Sequence, residues 1–527
     1  DNVNWDIDGL SVIDPRQATY ILDTLESLRP YGLDDSIVEK AFITFSIDSR
    51  IGKDGIKLVR SNESVFEAEE QQLFLFPDTL DEERSPYAEF IYGIGMFLRK
   101  TEYADGRITL VSDISGSYTP DKKIRGHQLG YRPLSNTYDK WDLNDYRRAY
   151  LDIMYFGANT VEHIPGKKDE RHGNSLMRYG ENELLFMAAE AADEIDLDVS
   201  LWYPNSEDSR EDAAENRKYV FDGAKRINAV FPPGGDPGSL PADEFIARCR
   251  IFKSLLNEKH PDAEMWPSAQ APHGIKNWGE SFIKEISDAH GGIDGIITGP
   301  NHAFPPDELR RRVPSRYPIR FYPDITHSVR CEYPVHYDRD DWHYAFASAF
   351  GRGSIAPRPT EYSRLYSETE SFFDGSVSYS DGIHDDINKV VFSALDFDKS
   401  TAVKDILKDY ANAYIPFADK EKIADIIIML EENWLGAPDE SPEASLCLDF
   451  LQSLAKKDKR LLSNFRFVML LFRAECDCLV KSRFVFENEL LKEAKRKIRC
   501  GGDTKPSGFA HRLHTFHHSF RLSALNS

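Results

Sequence analysis

Cysteine is sparse, six in 527 residues, and no two of them form a CxxC pair or a Cys/His zinc-finger spacing. A disulfide framework and a structural zinc are therefore not expected, and Cys476 and Cys478, one residue apart in a helical stretch, read as core thiols. Long apolar runs are missing too. The longest candidate, Phe467 to Phe472, is far shorter than the roughly 18 residues a bilayer span needs, so no membrane partner is expected. Positive charge is also short: 65 Lys and Arg stand against 88 Asp and Glu, a formal charge of -23, with the basic residues scattered among acids. Binding a polyanion needs a concentrated Lys/Arg surface, so nucleic acid is not an expected partner. The chain opens at Asp1 without a methionine or a signal sequence, which suggests a removed leader or a fragment. A periplasmic or secreted location is the expectation, with the chain a monomer or homodimer.

The length can bury several cores, and roughly one domain per 150 residues suggests two to four. Residues 1–120 mix a helical segment, Pro15 to Leu28, with short strands such as Ala41–Ser46, Leu73–Phe76 and Arg107–Val111. They read as a small α+β domain. From Ile124 short apolar strands alternate with helical stretches: Arg125–Leu129, Asn159–His163, Leu197–Tyr203, Asn228–Pro232, Ala263–Pro267, Ile293–Thr298, Pro318–Tyr322 and Gly353–Pro357. Eight such strands predict an α/β fold, a (β/α)8 TIM barrel over 121–360. The first intervening segment shows the helical signal best, with Asp142 as N-cap and Leu143, Tyr146, Tyr150, Ile153 and Met154 at helical spacing. Later crossovers include Glu183–Glu194, Glu211–Arg226, Pro241–Glu258, Glu280–Ala289, Pro306–Val313 and Trp342–Phe350. Long amphipathic helices follow, Val403–Tyr414, Lys420–Asn433, Glu443–Lys456 and Asn464–Arg496, and predict a helical C-terminal domain over 361–527.

Catalytic groups in such barrels stand at the carboxyl ends of the strands. Strand one ends in Arg125, His127, Gln128 and Tyr131, strand two in Glu162 and His163, and strand three in Trp202 and Tyr203. Strand four runs into Phe231-Pro232-Pro233-Gly234-Gly235-Asp236-Pro237-Gly238, a glycine-rich turn that carries a carboxylate. Strand five offers Trp266 and Gln270, strand six Asn301, strand seven Tyr322, Asp324 and His327, and strand eight Arg358. Aromatic rings stack on sugar faces, amides and histidines bond hydroxyls, and paired carboxylates do acid/base or nucleophilic work. The set points to O-glycoside cleavage in a glycan or oligosaccharide, as in bacterial polysaccharide degradation. Asp236 is the expected acid, Asp324 its partner, and Glu162 a reserve acid or hydroxyl ligand. No ligand set has metal-site spacing, and no metal or other cofactor is expected.

An α+β domain leading into Arg125-Gly126-His127 at the first barrel strand resembles the opening of family 20 β-hexosaminidases and family 67 α-glucuronidases, over roughly residues 10–360. Gly234-Gly235-Asp236 is similar to the family 20 Gly-Gly-Asp-Glu motif, in which the aspartate orients the substrate's acetamido group and the glutamate is the general acid. Here Pro237 occupies the acid position. The resemblance implies either two-carboxylate cleavage by Asp236 and Asp324, or an acetamido-assisted β-N-acetylhexosaminidase with its proton from Glu162 or Asp324. A third reading is a carbohydrate-binding protein on a glycosidase scaffold. Tyr379-Ser380-Asp381-Gly382-Ile383 resembles an acidic Glu/Asp-Gly-Ile segment of large bacterial barrel glycosidases, and Asp381 is its candidate substrate contact.

Overall fold

The computed structural model describes residues 43–45, 56–61, 72–77, 87–104, 107–110, 116–130, 138–164, 178–204, 209–235, 237–288, 291–325, 355–380, 382–433, 435 and 443–499. Eight parallel strands form its centre: β1 Ile124–Leu129, β2 Thr160–His163, β3 Asp198–Trp202, β4 Ala229–Phe231, β5 Glu264–Met265, β6 Ile296–Thr298, β7 Ile319–Phe321 and β8 Gly375–Ser380. They pair in the order β5-β4-β3-β2-β1-β8-β7-β6. The two edges meet through a parallel bridge between Ser268 and Ile297, with Ala269 N donating to Ile297 O at 2.8 Å and Ile297 N to Pro267 O at 3.1 Å. The sheet is thus curled in the manner of a TIM barrel.

Helices alternate with the strands: α1 Leu143–Met154, α2 Glu181–Glu194, α3 Arg210–Gly223, α4 Ala242–Lys259, α5 Trp278–Ser287, α6 Pro306–Arg312, α7 Pro359–Thr369 and α8 Asp386–Phe397. Helix α1 starts where expected because Asp142 and Asp145 form a capping box, Asp142 Oδ1 accepting from the amides of Asn144 and Asp145. Its stripe of Tyr146, Tyr150 and Met154 is buried against the sheet. Four more helices follow, α9 Val403–Tyr414, α10 Lys420–Glu432, α11 Glu443–Lys457 and α12 Phe465–Arg499. Arg466 ties α12 to the barrel helices, reaching Asp386 at 2.6 Å and Asp152 at 2.7 Å. Before the barrel, strands Ile43–Phe45, Gln72–Pro77, Ile56–Ser61 and Gly116–Tyr118 pair in that order. Helix Tyr87–Arg99 packs on α8 and α9, Tyr92 stacking on Phe397 with centroids 3.9 Å apart.

Seven strands fall where the hydrophobic pattern predicts them, and the eighth does not. Strand eight is Gly375–Ser380 rather than Gly353–Pro357, so the sheet and its last helix run past residue 360 to Phe397. The physical reason is its composition. Alternate residues are Ser376, Ser378 and Ser380, all buried, and each hydroxyl is bonded by a side chain that a barrel wall rarely offers. Ser376 donates to Asp396, Ser378 bonds His127 Nδ1 at 2.7 Å, and Ser380 donates to Asp385 Oδ2 at 2.8 Å. A strand buried on both faces by this polar seam carries no apolar run to read. The expected segments Pro15–Leu28 and Trp342–Phe350 lie outside the described residues. Among the described residues, no helix is long and apolar enough to cross a membrane.

The polar seam gives the fold a pH dependence. His163, buried against the Tyr150 hydroxyl at 2.8 Å, has its pKa pushed down to about 3 by burial, and burial with the Lys389 charge drives His127 well below the ordinary value as well. An unfolded chain protonates these imidazoles below pH 6.5 while the folded chain does not, so their contribution is present above that pH and is lost as pH falls towards 3. Asp396 acts oppositely: burial raises its carboxyl to about 7, so stability falls as pH rises from 3.8 to 7. With two histidines against one aspartate, urea unfolding is expected to show stability rising from about pH 4 to 6.5, and His163→Asn to reduce that slope by about 1.4 kcal/mol per pH unit.

Candidate active site at the barrel mouth

Period-two alternation sorts the expected site residues into two sets. Along β1, Arg125, His127 and Leu129 turn towards the helices, and Gly126 and Gln128 turn inward. Arg125 donates from Nε to Gly157 O at 2.6 Å and from Nη1 to Lys122 O at 2.7 Å, holding the amino-terminal end of the barrel. His127 sits between Ser378 and Ser393, both at 2.7 Å, and His163 faces Tyr150 on α1. These three residues therefore stand between sheet and helices and do not line the mouth where the sequence reading put them. The alternation sends every second side chain outward, and these fall on the outward phase.

Glu162 faces the interior and is fully buried. Its Oε1 accepts from Gln128 Nε2 at 2.6 Å, its Oε2 from Ser200 Oγ at 2.5 Å, and Arg320 Nη2 donates to Oε2 as well. Register puts Gln128, Glu162 and Ser200 side by side on three neighbouring strands, and Arg320 reaches across from β7. This is an ion pair in the barrel interior, with three donors on the carboxylate. Arg320 also lies 5.6 Å from the centroid of Phe231, whose ring belongs to an interior cluster with Trp266, Ile297, Tyr322 and Tyr379. Tyr322 meets Phe231 and Tyr379 edge-on, at 5.9 and 5.8 Å. Trp266 is buried in this cluster and donates to Glu264 Oε2 at 2.7 Å, so it fills the barrel.

Asp324 stands at the mouth. It pairs with Tyr379 in a parallel bridge, Tyr379 N donating to Pro323 O at 2.8 Å and Ile325 N to Tyr379 O at 3.2 Å. Bridge partners share a face, so Asp324 lies on the axial side with Tyr379, one step beyond Tyr322, and is half-buried. Trp202 and Tyr203 are half-buried at the end of β3. Trp202 packs on the interior cluster, whereas Tyr203 falls on the outward phase, its ring 4.4 Å from the guanidinium of Arg217 on α3, which also donates to Pro204 O. Gln270 is buried and committed to Pro300 O at 2.8 Å and Ser268, which ties the loops after β5 and β6 together. Asn301 is exposed in a left-handed conformation, φ 60°, and Arg358 precedes α7 with its guanidinium 5.7 Å from the Tyr362 ring. Asp236, Tyr131, His327 and Asp381 lie outside the described residues.

The flanks of Asp236 are described, and they explain the glycines. A Cβ on Gly234 would come within 2.4 Å of Gln270 O and 2.8 Å of the Trp278 ring, and one on Gly235 within 2.4 Å of Pro272 N. The turn after β4 is pressed against the backbone after β5, which only a residue without a side chain allows. Gly234→Ala is expected to cost about 1–3 kcal/mol through this overpacking, read as a lowered urea midpoint.

Two features went unseen in the sequence. Tyr379 is a barrel-interior aromatic near the end of β8, which is a barrel strand rather than a segment beyond the barrel. Lys389, buried on α8, donates to Gly382 O at 3.0 Å and to the Tyr138 hydroxyl at 3.2 Å, fixing the turn after β8. The alternation of Val377 and Tyr379 was the available signal. Among the described residues no His, Cys, Asp and Glu cluster could hold a metal ion.

No family model and no curated protein matches the sequence. Solved structures do. A family 89 glycoside hydrolase from Clostridium perfringens, in complex with PUGNAc, is similar at 11% identity and a TM-score of 0.48, over 81% of this chain and 55% of that one. A family 20 chitobiase from Flavobacterium johnsoniae is similar at 11% identity and a TM-score of 0.47, over 95% of this chain and 91% of that one. A mutant Streptomyces plicatus β-hexosaminidase in complex with GlcNAc is similar at 11% identity and a TM-score of 0.43, over 74% and 88%. This chain spans about half the length of the Clostridium perfringens enzyme.

Proposed function

We propose that this protein is a glycoside hydrolase that cleaves O-glycosidic bonds with two carboxylates at the barrel mouth, Asp324 after β7 and Asp236 after β4. The observation that carries the reading is the place of Asp324, on the axial face at the carboxyl end of a barrel strand and beside the aromatic cluster of Tyr322 and Tyr379. In this reading Asp236 protonates the leaving oxygen, and ionised Asp324 attacks the anomeric carbon or activates water. Carboxyl groups about 5 Å apart give retention and about 6.5–9.5 Å inversion. Trp202, packed against the interior cluster, forms the stacking wall for the sugar. Glu162 is fully buried and bonded by three donors, and its role here is to neutralise Arg320 and hold three strands together.

Glycine 234 and 235 ahead of Asp236 favour one second reading, in which Asp236 orients an acetamido group. A panel of aryl glycosides separates the two, covering N-acetylhexosaminides, neutral hexosides, pentosides and uronides. Turnover confined to N-acetylhexosaminides supports the acetamido route, and turnover of a sugar without an acetamido group supports the two-carboxylate route. Glycan binding without turnover of any member contradicts both.

A further inference from the structure

One imidazole at the barrel mouth takes no part in the two-carboxylate chemistry. The loop after β6 turns back on the loop after β5 as a short antiparallel ladder, in which Ala271 N donates to Asn301 O at 3.1 Å and Ala303 N to Ala269 O at 3.0 Å. Gln270 and His302 are the pair between those bonds. Such a non-hydrogen-bonded pair sends both side chains off the same face, close together. That face is the axial one. Trp266 belongs to the interior cluster, Ser268 bridges Ile297 of the same cluster, and Gln270 continues their phase, whereas Ala269 packs in the larger core shared with the helices. Gln270 is buried and His302 exposed, so the imidazole stands above Gln270 at the rim of the mouth.

The frame around it is fixed. Gln270 Nε2 donates to Pro300 O at 2.8 Å, and Gly299 lies so close to Tyr322 that an added Cβ would come within 2.4 Å of that ring. Tyr322 is two residues before Asp324, which puts the β6 loop beside that carboxylate. His302 Nδ1 donates to Gly299 O at 2.8 Å. A carbonyl only accepts, so this bond sets the tautomer: the proton of the neutral ring is on Nδ1, and Nε2, directed away from Gly299, offers a lone pair. We propose that His302 is a substrate-binding residue whose Nε2 accepts a hydrogen bond from a hydroxyl of the sugar held before Asp324. The proposal rests on the glycoside reading of the mouth. The contact is available to bound substrate and transition state alike, so it acts on affinity rather than on bond cleavage.

The test is the kinetics of the best aryl glycoside with His302→Asn and His302→Gln. Asparagine keeps a donor for Gly299 O and removes the acceptor at the Nε2 position, whereas glutamine places an amide there. KM is expected to rise roughly fivefold to tenfold in His302→Asn, the worth of one hydrogen bond, with kcat within about twofold, and His302→Gln to recover part of the loss. An unchanged KM in His302→Asn overturns the proposal. So does a loss in His302→Gln with none in His302→Asn, which would make His302 a brace for its loop. If the wild type cleaves no glycoside, the two-carboxylate reading fails by itself, and the same three proteins are titrated calorimetrically with N-acetyl-D-glucosamine, D-galactose and D-glucose. Weaker binding by His302→Asn than by the wild type then supports the contact, and equal binding by all three proteins, or none by the wild type, overturns it.

Discussion

Glu162→Ala is expected to destabilise the protein by about 3–5 kcal/mol, the usual cost of stripping one partner from a buried ion pair. The Arg320 guanidinium would be left charged in the barrel interior, and Gln128 Nε2 and Ser200 Oγ would lose their acceptor. Much of the loss is the cost of the orphaned charge rather than the worth of the pair. Removing both charges in Glu162→Leu with Arg320→Met is therefore expected to recover most of it, in the same equilibrium urea experiment. A single-variant loss below about 1 kcal/mol would mean that water reaches the pair and that it behaves like a surface bridge.

Asp324→Asn is expected to reduce turnover by about a thousandfold or more while unfolding stays cooperative. The substitution keeps the shape of the side chain and removes only its charge, so loss of rate with a preserved fold separates chemistry from packing. Asp324 is half-buried next to the interior aromatics, an environment in which a lost charge is poorly replaced by solvent. A KM change with unchanged kcat would instead make Asp324 a ligand of the ground state.

The sequence was legible where apolar strands alternated with capped helices. Asp142, read as an N-cap, marked α1, and seven strands overlap their expected bounds, β6 beginning three residues later than expected. It failed at β8, where buried serines replace the expected apolar residues and find their partners on three separate elements, Ser376 on Asp396 of α8, Ser378 on His127 of β1 and Ser380 on Asp385 just before α8. Missing β8 displaced the end of the barrel and hid Tyr379 as an interior residue. Chemical type at the strand ends picks out the site residues, and alternation divides them. Gln128, Glu162, Trp266, Tyr322 and Asp324 fall on the inward phase, whereas Arg125, His127 and His163 fall on the outward one. Nothing in His127 itself announces that Ser378 and Ser393 will bracket it, because that contact exists only once β8 and α8 are placed.

The most direct test of two-carboxylate cleavage is kcat/KM for the best aryl glycoside, measured on the wild type, Asp236→Ala and Asp324→Ala. The proposed mechanism predicts a measurable wild-type rate and a loss of about a thousandfold or more in each variant. A wild type that binds glycans without cleaving any, or an Asp324→Ala variant that keeps its rate, would contradict it.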